Sequence, residues 1–255
     1  WYGHQASLVL SRRVDVPMRK NFFSRWKYNH PRIRKILTVS DAIRNTLNRT
    51  LTNHEIAETV YSGIDVDKFN ATRRSNRLRK RYGLEKDQVL VGNTSALAPV
   101  KDYTTFLDTA SYVVSHGVRA VFFIIGEGSE RKNIEKYILK KGLEKHVILT
   151  GFLSNIPEIL PELDIFLMTS RSEGLGTSIL DAIACDVPVV ATCTGGIPEM
   201  VRHEETGLLA DVGDADRLGD HILRLMQDPE LGRSLAERAG KLLLKEFTRQ
   251  RTAEK

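Results

Sequence analysis

The strongest constraint on the fold is a regular alternation of apolar runs and amphipathic segments that begins at residue 89. Successive apolar runs are separated by stretches with helical periodicity. The predicted strands are Val89–Val91, Val118–Ile125, Val147–Leu149, Leu163–Met168, Val187–Ala191 and Leu208–Ala210. Near-continuous apolar strands that alternate with helices are typical of a parallel sheet covered on both faces. Residues 89–250 are therefore predicted to form a doubly wound α/β domain.

The residues before this domain resemble part of a second α/β domain. Its predicted strands are Ser7–Leu10, Ile33–Val39 and Glu58–Tyr61. The aromatic and basic segment 21–28 is predicted to be a loop. We expect residues 1–62 to be an incomplete N-terminal domain. Residues 63–88 contain many polar and turn-forming side chains, so we expect them to be an interdomain linker.

Basic residues are concentrated ahead of the regular domain. The chain carries a net charge of +6, but residues 1–81 hold 18 Lys plus Arg against 6 Asp plus Glu, which gives +12 and leaves −6 for the remainder. Such a region would contact an acidic lipid surface, a phosphorylated substrate or nucleic acid, or would simply be solvated. Aromatic residues interleaved at 21–28 also fit a single-stranded nucleic-acid platform, although aromatic side chains beside a sheet more often pack under it.

Several classes of protein are excluded or disfavoured by composition. No apolar run is long enough to cross a membrane as a helix. Cys185 and Cys193 are too few for a disulfide framework and lack the partners of a zinc site, so we expect reduced, buried thiols in a cytoplasmic protein. Because the first residue is Trp1 and no signal pattern follows it, we expect the chain to be a fragment.

The stretch from Ser170 to Asp186 carries the clearest chemical signal. It predicts a turn between an apolar strand and an amphipathic helix, with Gly174 and Gly176 in the turn. Glycines let a ligand approach the backbone, and the helix N-terminus favours an anion. Glu173 lies in the turn and Asp181 within the helix, so the stretch predicts an anion site flanked by two carboxylates.

Three further loops are expected at the same edge of the sheet, because ligands of parallel α/β sheets bind beyond the carboxyl ends of the strands. Lys101 follows the strand at 89–91 and would reach a phosphate. The G-x-G segment 126–128 lacks the third glycine and the acidic residue of a dinucleotide fingerprint. In the last loop, the 195–196 glycine pair would offer backbone N–H groups, and Glu199 opens a short helix.

Six segments occur in the order and spacing of a known family. They are A-L-A-P-V-K-D, I-I-G-E-G-S-E-R, V-I-L-T-G-F, S-E-G-L-G-T-S-I-L-D-A, P-V-V-A-T-C-T-G-G-I-P-E-M-V and E-E-T-G-L-L-A. They resemble the nucleotide-sugar-binding domain of retaining glycosyltransferases of family 4, which have the GT-B architecture. Residues 38–44 (T-V-S-D-A-I-R) and 60–69 (V-Y-S-G-I-D-V-D-K-F) resemble the end of that family's first domain and its linker. The resemblance covers about residues 31–250 and implies a Rossmann-like fold.

The resemblance also implies roles for the charged residues. Glu173 begins the family's E-x7-E motif and would contact the donor sugar, while Asp181 occupies the second acidic position, which binds the ribose hydroxyls. An aspartate is shorter than the usual glutamate and would need a shift of the helix or a bridging water. Lys101 matches the lysine that neutralises the leaving diphosphate. Ala96 replaces the usual arginine, so this stabilisation would be weaker or supplied elsewhere.

Other positions are implied to contact the donor, with backbone amides around 174–176 on the diphosphate and residues 152–153 near the base. This set consists of Gly126, Gly128, Phe152, Leu153, Gly174, Leu175, Gly176 and Thr177. Additional candidates are Arg13, Gly195, Gly196 and Glu199. Arg13 and its neighbour stand where the family often has a histidine after the first strand. No metal ligand is expected.

The function implied by the resemblance is metal-independent transfer of a sugar, with retention of configuration, from a UDP-, GDP- or ADP-type nucleotide sugar. The acceptor would be a sugar or a lipid-linked glycan, in the synthesis of a cell-surface polysaccharide or glycolipid, and no cofactor is expected. The location would be cytoplasmic, with peripheral contact at the inner face of the membrane. Since the acceptor-side domain is incomplete, we expect donor binding with little transfer. The alternatives are a non-catalytic nucleotide-sugar-binding module and a basic nucleic-acid-binding protein, of which the latter is disfavoured.

Overall fold

The computed structural model describes residues 6–14, 22–70 and 76–255. The first of its two sheets has three parallel strands in the order β1-β2-β3. These are β1 (Leu8–Arg12), β2 (Ile33–Thr38) and β3 (Ala57–Thr59), which confirms the strands predicted in this region. The helices associated with this sheet are α1 (Phe22–Tyr28) and α2 (Asp41–Asn48). Ser40 caps α2, because its side chain accepts a hydrogen bond from the N–H of Ile43.

The segment expected to be an aromatic loop is a helix, so that prediction was wrong. Helix α1 ends at Tyr28, and the following Asn29 closes it with two hydrogen bonds to the carbonyl oxygen of Arg25, one from its side chain (2.7 Å) and one from its backbone N–H (3.1 Å). Trp26 of this helix is 56% exposed and packs its ring edge-on against His30. The aromatic residues concealed the helix because they lack a clear apolar stripe.

The described part of the segment 63–88, which is residues 63–70 and 76–88, contains two short helices, α3 (Asp67–Asn70) and α4 (Arg77–Tyr82). Phe69 and Leu78 are buried in the same apolar cluster as the larger sheet. The carboxylate of Glu162 accepts hydrogen bonds from the N–H groups of Arg77 (2.7 Å) and Leu78 (2.8 Å), at the N-terminus of α4. This segment is therefore packed onto the domain that follows it, while the division of the chain into domains stays a prediction.

The larger sheet has six parallel strands. They are β4 (Val89–Thr94), β5 (Ala120–Ile125), β6 (Val147–Gly151), β7 (Ile165–Met168), β8 (Val189–Thr192) and β9 (Leu208–Ala210). Their order across the sheet is β6-β5-β4-β7-β8-β9. The chain thus winds outward from β4 in one direction and then from β7 in the other, which is the doubly wound, Rossmann-like arrangement predicted from the sequence.

Helices cover both faces of this sheet. They are α5 (Tyr103–Ser115), α6 (Arg131–Lys141), α7 (Ile156–Ile159), α8 (Thr177–Ala184), α9 (Ile197–Met200), α10 (Ala215–Gln227) and α11 (Pro229–Glu246). The last helix, α12 (Arg249–Glu254), has no buried residue. All residues of β5 are buried, and alternate side chains enter two separate clusters: Phe123 packs with the α8 and α11 side, and Phe122 with the α5 and α10 side. Burying one such phenylalanine contributes about 2–3 kcal/mol, so the two-sided core dominates the stability of this domain.

The end of the chain returns to the smaller sheet. Ile64 forms a parallel bridge with Thr248, and the Thr252 hydroxyl accepts a hydrogen bond from the N–H of Gly63 (2.8 Å) and donates one to the carbonyl oxygen of Tyr61 (2.8 Å). Within the described ranges, no helix combines the length and the apolar character needed to cross a bilayer. The expectation of two buried thiols was half wrong, because Cys193 is exposed and Cys185 is partly buried.

Candidate active site

The reversal of winding direction places two loops side by side. β4 and β7 are neighbours in the sheet, and the loops that follow them run from 95 to 102 and from 169 to 176. In open parallel sheets a crevice forms at this switch point, outside the carboxyl ends of the strands. Lys101 ends a 3₁₀ turn in the first loop and Glu173 lies in the second, so the fold itself brings these two predicted residues together.

Lys101 and Glu173 form an ion pair between Nζ and Oε1. The two side chains are 18% and 10% exposed, so the pair is largely withdrawn from solvent but still reaches the surface. The hydroxyl of Ser170 donates a hydrogen bond to the same Oε1 atom (2.8 Å), and the carbonyl of Ser170 accepts one from the Thr192 hydroxyl (2.6 Å). Solvent and salt screen the attraction between two charges less when the charges are poorly exposed. The position of Lys101 relative to Glu173 therefore affects both stability and ligand binding.

Beside this ion pair lies the N-terminus of α8. Gly176 precedes the helix with φ of +93°, a left-handed conformation that favours glycine, and Thr177 is the first helical residue. The unpaired N–H groups and the dipole of a helix N-terminus favour an anion. The cleft here has a volume of about 380 Å³. Its lining residues are Arg13, Val39, Ser62, Thr94, Ser95, Ala96, Lys101, Glu173, Gly174, Leu175, Gly176, Thr177 and Ser178.

Arg13 comes to this cleft from the smaller sheet. It follows β1, and its Nη2 donates a hydrogen bond to the hydroxyl of Ser62 (3.1 Å). A Cβ on Gly174 would lie 2.4 Å from the carbonyl oxygen of Arg13, so the two loops are in close backbone contact. The cleft therefore receives positive charge from a loop of each sheet, from Lys101 after β4 and from Arg13 after β1.

Gly126 and Gly128, predicted to contact the donor, pack against the loop that carries Lys101. A Cβ on Gly126 would lie 1.9 Å from the carbonyl oxygen of Ser95, and one on Gly128 would lie 2.4 Å from that of Leu97. The N–H of Leu97 also donates to the carbonyl of Glu127 (2.9 Å). These glycines therefore permit close contact between two protein loops, and direct contact with a ligand stays a prediction.

Gly196 and Glu199 are both hydrogen-bonded to other parts of the protein. The N–H of Gly196 donates to the carbonyl oxygen of Glu173 (3.1 Å), and a Cβ on Gly195 would lie 1.9 Å from that same oxygen. The Glu199 carboxylate accepts hydrogen bonds from the N–H groups of Asp41 and Ala42, both at 2.9 Å, at the start of α2. The expectation that Gly196 offers its N–H to a ligand was therefore wrong. Its loop instead supports Glu173 and joins it to the smaller sheet.

Asp181 and the residues assigned to the base lie outside the cleft lining. Asp181 is one helical turn beyond Thr177 on the same face of α8, and burial raises the pKa of its carboxyl to about 6. Phe152 is 76% exposed just after β6, whereas Leu153 is partly buried against the core of the larger sheet. An exposed ring beyond a strand end is free to stack on a planar group.

Two residues that join the loops were not identified from the sequence. Asp102 is buried, and its carboxylate accepts hydrogen bonds from Arg171 Nε (2.9 Å) and Nη2 (3.1 Å). Asp102 also precedes α5 as its N-cap, a position that an aspartate just before a helix would have indicated. Nothing in the sequence singles out Arg171, because its partner becomes adjacent only when β4 and β7 pair.

Similarities to known proteins agree with this geometry. The chain is 30% identical over 212 residues to N-acetyl-alpha-D-glucosaminyl L-malate synthase of Bacillus anthracis, a match that covers 83% of this chain and 55% of that protein. It is 30% identical over 249 residues to alpha-D-kanosaminyltransferase of Streptomyces kanamyceticus, covering 94% of this chain and 63% of the relative. The chain thus spans little more than half the length of these relatives.

The fold itself is shared with solved glycosyltransferase structures. The crystal structure of Anabaena HepE, in complex with UDP and glucose, superposes with a TM-score of 0.86 at 23% identity, covering 97% of this chain and 70% of HepE. The architecture is therefore that of the GT-B glycosyltransferases. Residues 74–242, more than half of the chain, match the family model described as glycosyl transferases group 1. The chain belongs to the group 1 family of glycosyl transferases.

Proposed function

We propose that this chain binds a nucleotide-diphosphate sugar in the cleft at the switch point and belongs to a retaining, metal-independent glycosyltransferase. The observation that carries the proposal is the Lys101–Glu173 ion pair beside the N-terminus of α8. A cation, a helix N-terminus and a carboxylate in one cleft suit a ligand that has both an anionic and a hydroxyl-rich part. The UDP and glucose bound by HepE, which shares the fold, are a ligand pair of this kind.

The chemistry demanded of the site is stabilisation of charge on the departing nucleotide diphosphate. Lys101 and the N–H groups at the start of α8 are preorganised donors for that charge. In the free protein the Lys101 ammonium is paired with Glu173, so an incoming diphosphate competes for it and leaves the Glu173 carboxylate for sugar hydroxyls. Interactions that strengthen as the glycosidic bond breaks raise the rate more than those already complete in the bound donor.

Arg13 is proposed as the second cation for the diphosphate. Ala96 lines the cleft at the position where the resemblance implies an arginine, and it has no charge to offer. Arg13 lines the same cleft from the smaller sheet. Asp181 is proposed to accept hydrogen bonds from the ribose, and the exposed ring of Phe152 to contact the base. These assignments give each part of the donor a separate protein partner.

Calorimetric titration tests the donor site. The ligands are UDP, GDP and ADP and their hexose conjugates, and the proteins are the wild type, Lys101→Ala and Glu173→Ala. Loss of a charge-assisted contact of about 1.5–3 kcal/mol predicts about ten- to a hundredfold weaker binding of a nucleoside diphosphate to Lys101→Ala. Lys241→Ala, which removes an exposed lysine paired with Glu237, is the control. The proposal fails if the folded wild type binds none of these ligands, or if both site variants bind as tightly as the wild type.

The acceptor is proposed to be a sugar or lipid-linked glycan at an acidic membrane surface. The feature that supports a membrane contact is α1, where the exposed Trp26 lies between the exposed basic residues Arg25 and Lys27. An aromatic ring flanked by positive charge suits the interface of an anionic bilayer. Sedimentation with phosphatidylglycerol vesicles, compared with phosphatidylcholine vesicles and with Trp26→Ala, tests this. Equal sedimentation of the wild type with both lipids would contradict it.

A further inference from the structure

A second ion pair joins the same two loops as the first. Asp102 follows Lys101 in the chain, and Arg171 comes shortly before Glu173. The Arg171 guanidinium donates to both carboxylate oxygens of Asp102, from Nε at 2.9 Å and from Nη2 at 3.1 Å. This two-point contact fixes the orientation of both groups, which a single hydrogen bond would not do.

The backbones of the two loops are also joined. The hydroxyl of Thr169 lies 3.1 Å from the carbonyl oxygens of both Lys101 and Asp102, and the N–H of Arg171 donates to the carbonyl of Val100 at 2.8 Å. These hydrogen bonds join residues 100–102 of the loop after β4 to residues 169 and 171 of the loop after β7. Between these two loops, the side chain of Lys101 meets that of Glu173.

Because Asp102 is buried, its negative charge is stabilised by the positive charge of Arg171. The Asp102 side chain is 3% exposed, whereas that of Arg171 is 63% exposed. Burial alone would raise the pKa of Asp102, but hydrogen bonds from Arg171 and Thr105, together with the charge of Arg171, outweigh it and hold the pKa below its ordinary value. A buried carboxylate that loses its counter-charge must be hydrated or protonated, and either change disturbs the turn that contains it.

We propose that Arg171 and Asp102 are positioning residues, whose ion pair holds the two loops in the register at which Lys101 meets Glu173. The consequence for donor affinity rests on the function proposed above, but the effect on the position of Lys101 does not. Because Arg171 is mostly exposed, its truncation leaves no large cavity in the core. The effect of Arg171→Ala would therefore arise from Asp102, whose turn opens and carries the neighbouring Lys101 away from Glu173.

The first test measures the exposure of Lys101 in the ligand-free protein. Amine acylation is followed for each lysine by mass spectrometry of peptides, with Lys35 as internal reference because it pairs with Glu58 in the smaller sheet. We expect the relative labelling rate of Lys101 to rise at least threefold in Arg171→Ala. Arg171→Lys keeps the charge without the two-point contact, so its rate should be intermediate. Arg233→Ala removes an arginine of similar exposure, paired with Glu230, and should leave the rate unchanged.

The second test asks whether Arg171 acts through Lys101. UDP affinity is measured for the wild type, Arg171→Ala, Lys101→Ala and the double variant. We expect Arg171→Ala to weaken UDP binding about five- to tenfold in the wild type, which corresponds to about 1–1.4 kcal/mol, and to have little effect once Lys101 is absent. Equal weakening in both backgrounds would mean that Arg171 acts independently of Lys101 and would overturn the proposal.

The two tests separate this proposal from the proposed function. If the folded wild type binds neither UDP nor any of the other nucleotides, the proposed function fails. The labelling rate of Lys101 still decides whether Arg171 positions Lys101. If the labelling rate of Lys101 is the same in Arg171→Ala as in the wild type, the positioning role is wrong whatever the nucleotide affinity. Unfolding in urea, compared between variants, shows that each remains folded under the labelling conditions.

Discussion

Glu173 and Asp181 belong to one stretch of sequence, yet their carboxylates have opposite surroundings. Glu173 contacts the Lys101 ammonium and accepts a hydrogen bond from the Ser170 hydroxyl. Asp181 lies inside α8, where burial raises the pKa of its carboxyl to about 6. Protein groups thus compensate the first charge, while the second bears a cost of desolvation. Two acids of one motif can therefore affect the stability of the folded protein in opposite ways. An unfavourable free energy of burying a charge, as at Asp181, is typical of residues kept for binding.

The largest effect is expected from Gly195→Ala, which disturbs the surroundings of Glu173 and leaves α8 in place. Gly195 has φ of +53°, and a Cβ there would lie 1.9 Å from the carbonyl oxygen of Glu173. Backbone strain and the clash together should lower the free energy of unfolding by about 3 kcal/mol, as measured by urea denaturation.

The matched control for this variant is Gly213→Ala. Gly213 also has a positive φ, of +85°, but its Cβ would meet nothing within 4 Å. It should therefore show only the conformational cost of about 1 kcal/mol. Equal losses in the two variants would mean that the contact between Gly195 and Glu173 contributes nothing.

Asp181→Asn is expected to stabilise the protein at neutral pH, by on the order of 2 kcal/mol. The folded-state pKa, about 6, lies above the ordinary value of 3.8, so ionisation penalises the folded state. The penalty is complete above pH 6, declines as the pH falls through 6 and disappears below about 4. The gain from Asp181→Asn should follow the same course, as measured by urea denaturation at pH 7.5 and pH 4.

Asp181→Asn is expected to weaken donor binding although it stabilises the protein. If Asp181 accepts hydrogen bonds from the ribose, Asp181→Asn should bind UDP more weakly at pH 7.5, and wild-type affinity should fall as the pH drops through 6. Glu237→Gln, at an exposed carboxylate, should give no gain in stability at either pH. A stability gain that persists at pH 4 would show that desolvation of the charge is not its source.

Glu173→Gln should destabilise the protein, and by less than Asp181→Asn stabilises it. The substitution leaves the Lys101 ammonium, 18% exposed, without its charged partner. We expect the free energy of unfolding to fall by about 1 kcal/mol. Combining it with Lys101→Met removes the unpaired charge and should restore part of the loss, so a double-mutant cycle in urea measures the coupling. If Glu173→Gln instead stabilised the protein, the charge of Glu173 would be as unfavourable in the folded state as that of Asp181.

The sequence predicted the larger sheet because its strands are apolar on both faces, as β5 illustrates, and that pattern survives without any knowledge of neighbours. It also predicted which loops would meet, since the carboxyl ends of parallel strands share one edge. Helix α1 was missed because its aromatic and basic residues lack an apolar stripe. Periodicity therefore predicts elements that cover a sheet better than elements at its margin.

The partners of individual side chains could not be predicted in the same way. Lys101 and Glu173 were singled out by residue type and loop position, but the pair of Asp102 with Arg171 depends on which strands are neighbours. Glu199 was an additional candidate for the donor site, and the sequence did not indicate that it accepts two backbone hydrogen bonds at the start of α2. Contacts of this kind join residues that are far apart in sequence. They cannot be predicted from one sequence until the neighbouring strands and loops are known.

The smallest effect expected concerns Cys185, which follows α8 and reports on the charge of Asp181. Burial, followed by the charges of Asp181 and Asp186, raises the pKa of the Cys185 thiol to about 12. Because the thiolate is the nucleophile, iodoacetamide at pH 8 should alkylate the exposed Cys193 at least tenfold faster than Cys185, on the order set by thiolate fraction and access. Asp181→Asn removes the second of the three causes and should speed the alkylation of Cys185 about twofold, with Cys193 unchanged as the internal control. Peptide mass spectrometry measures both rates. If the Cys185 rate does not respond to Asp181→Asn, Asp181 is not a carboxylate at this pH, and its contrast with Glu173 would have to be explained by protonation instead of by the cost of burying a charge.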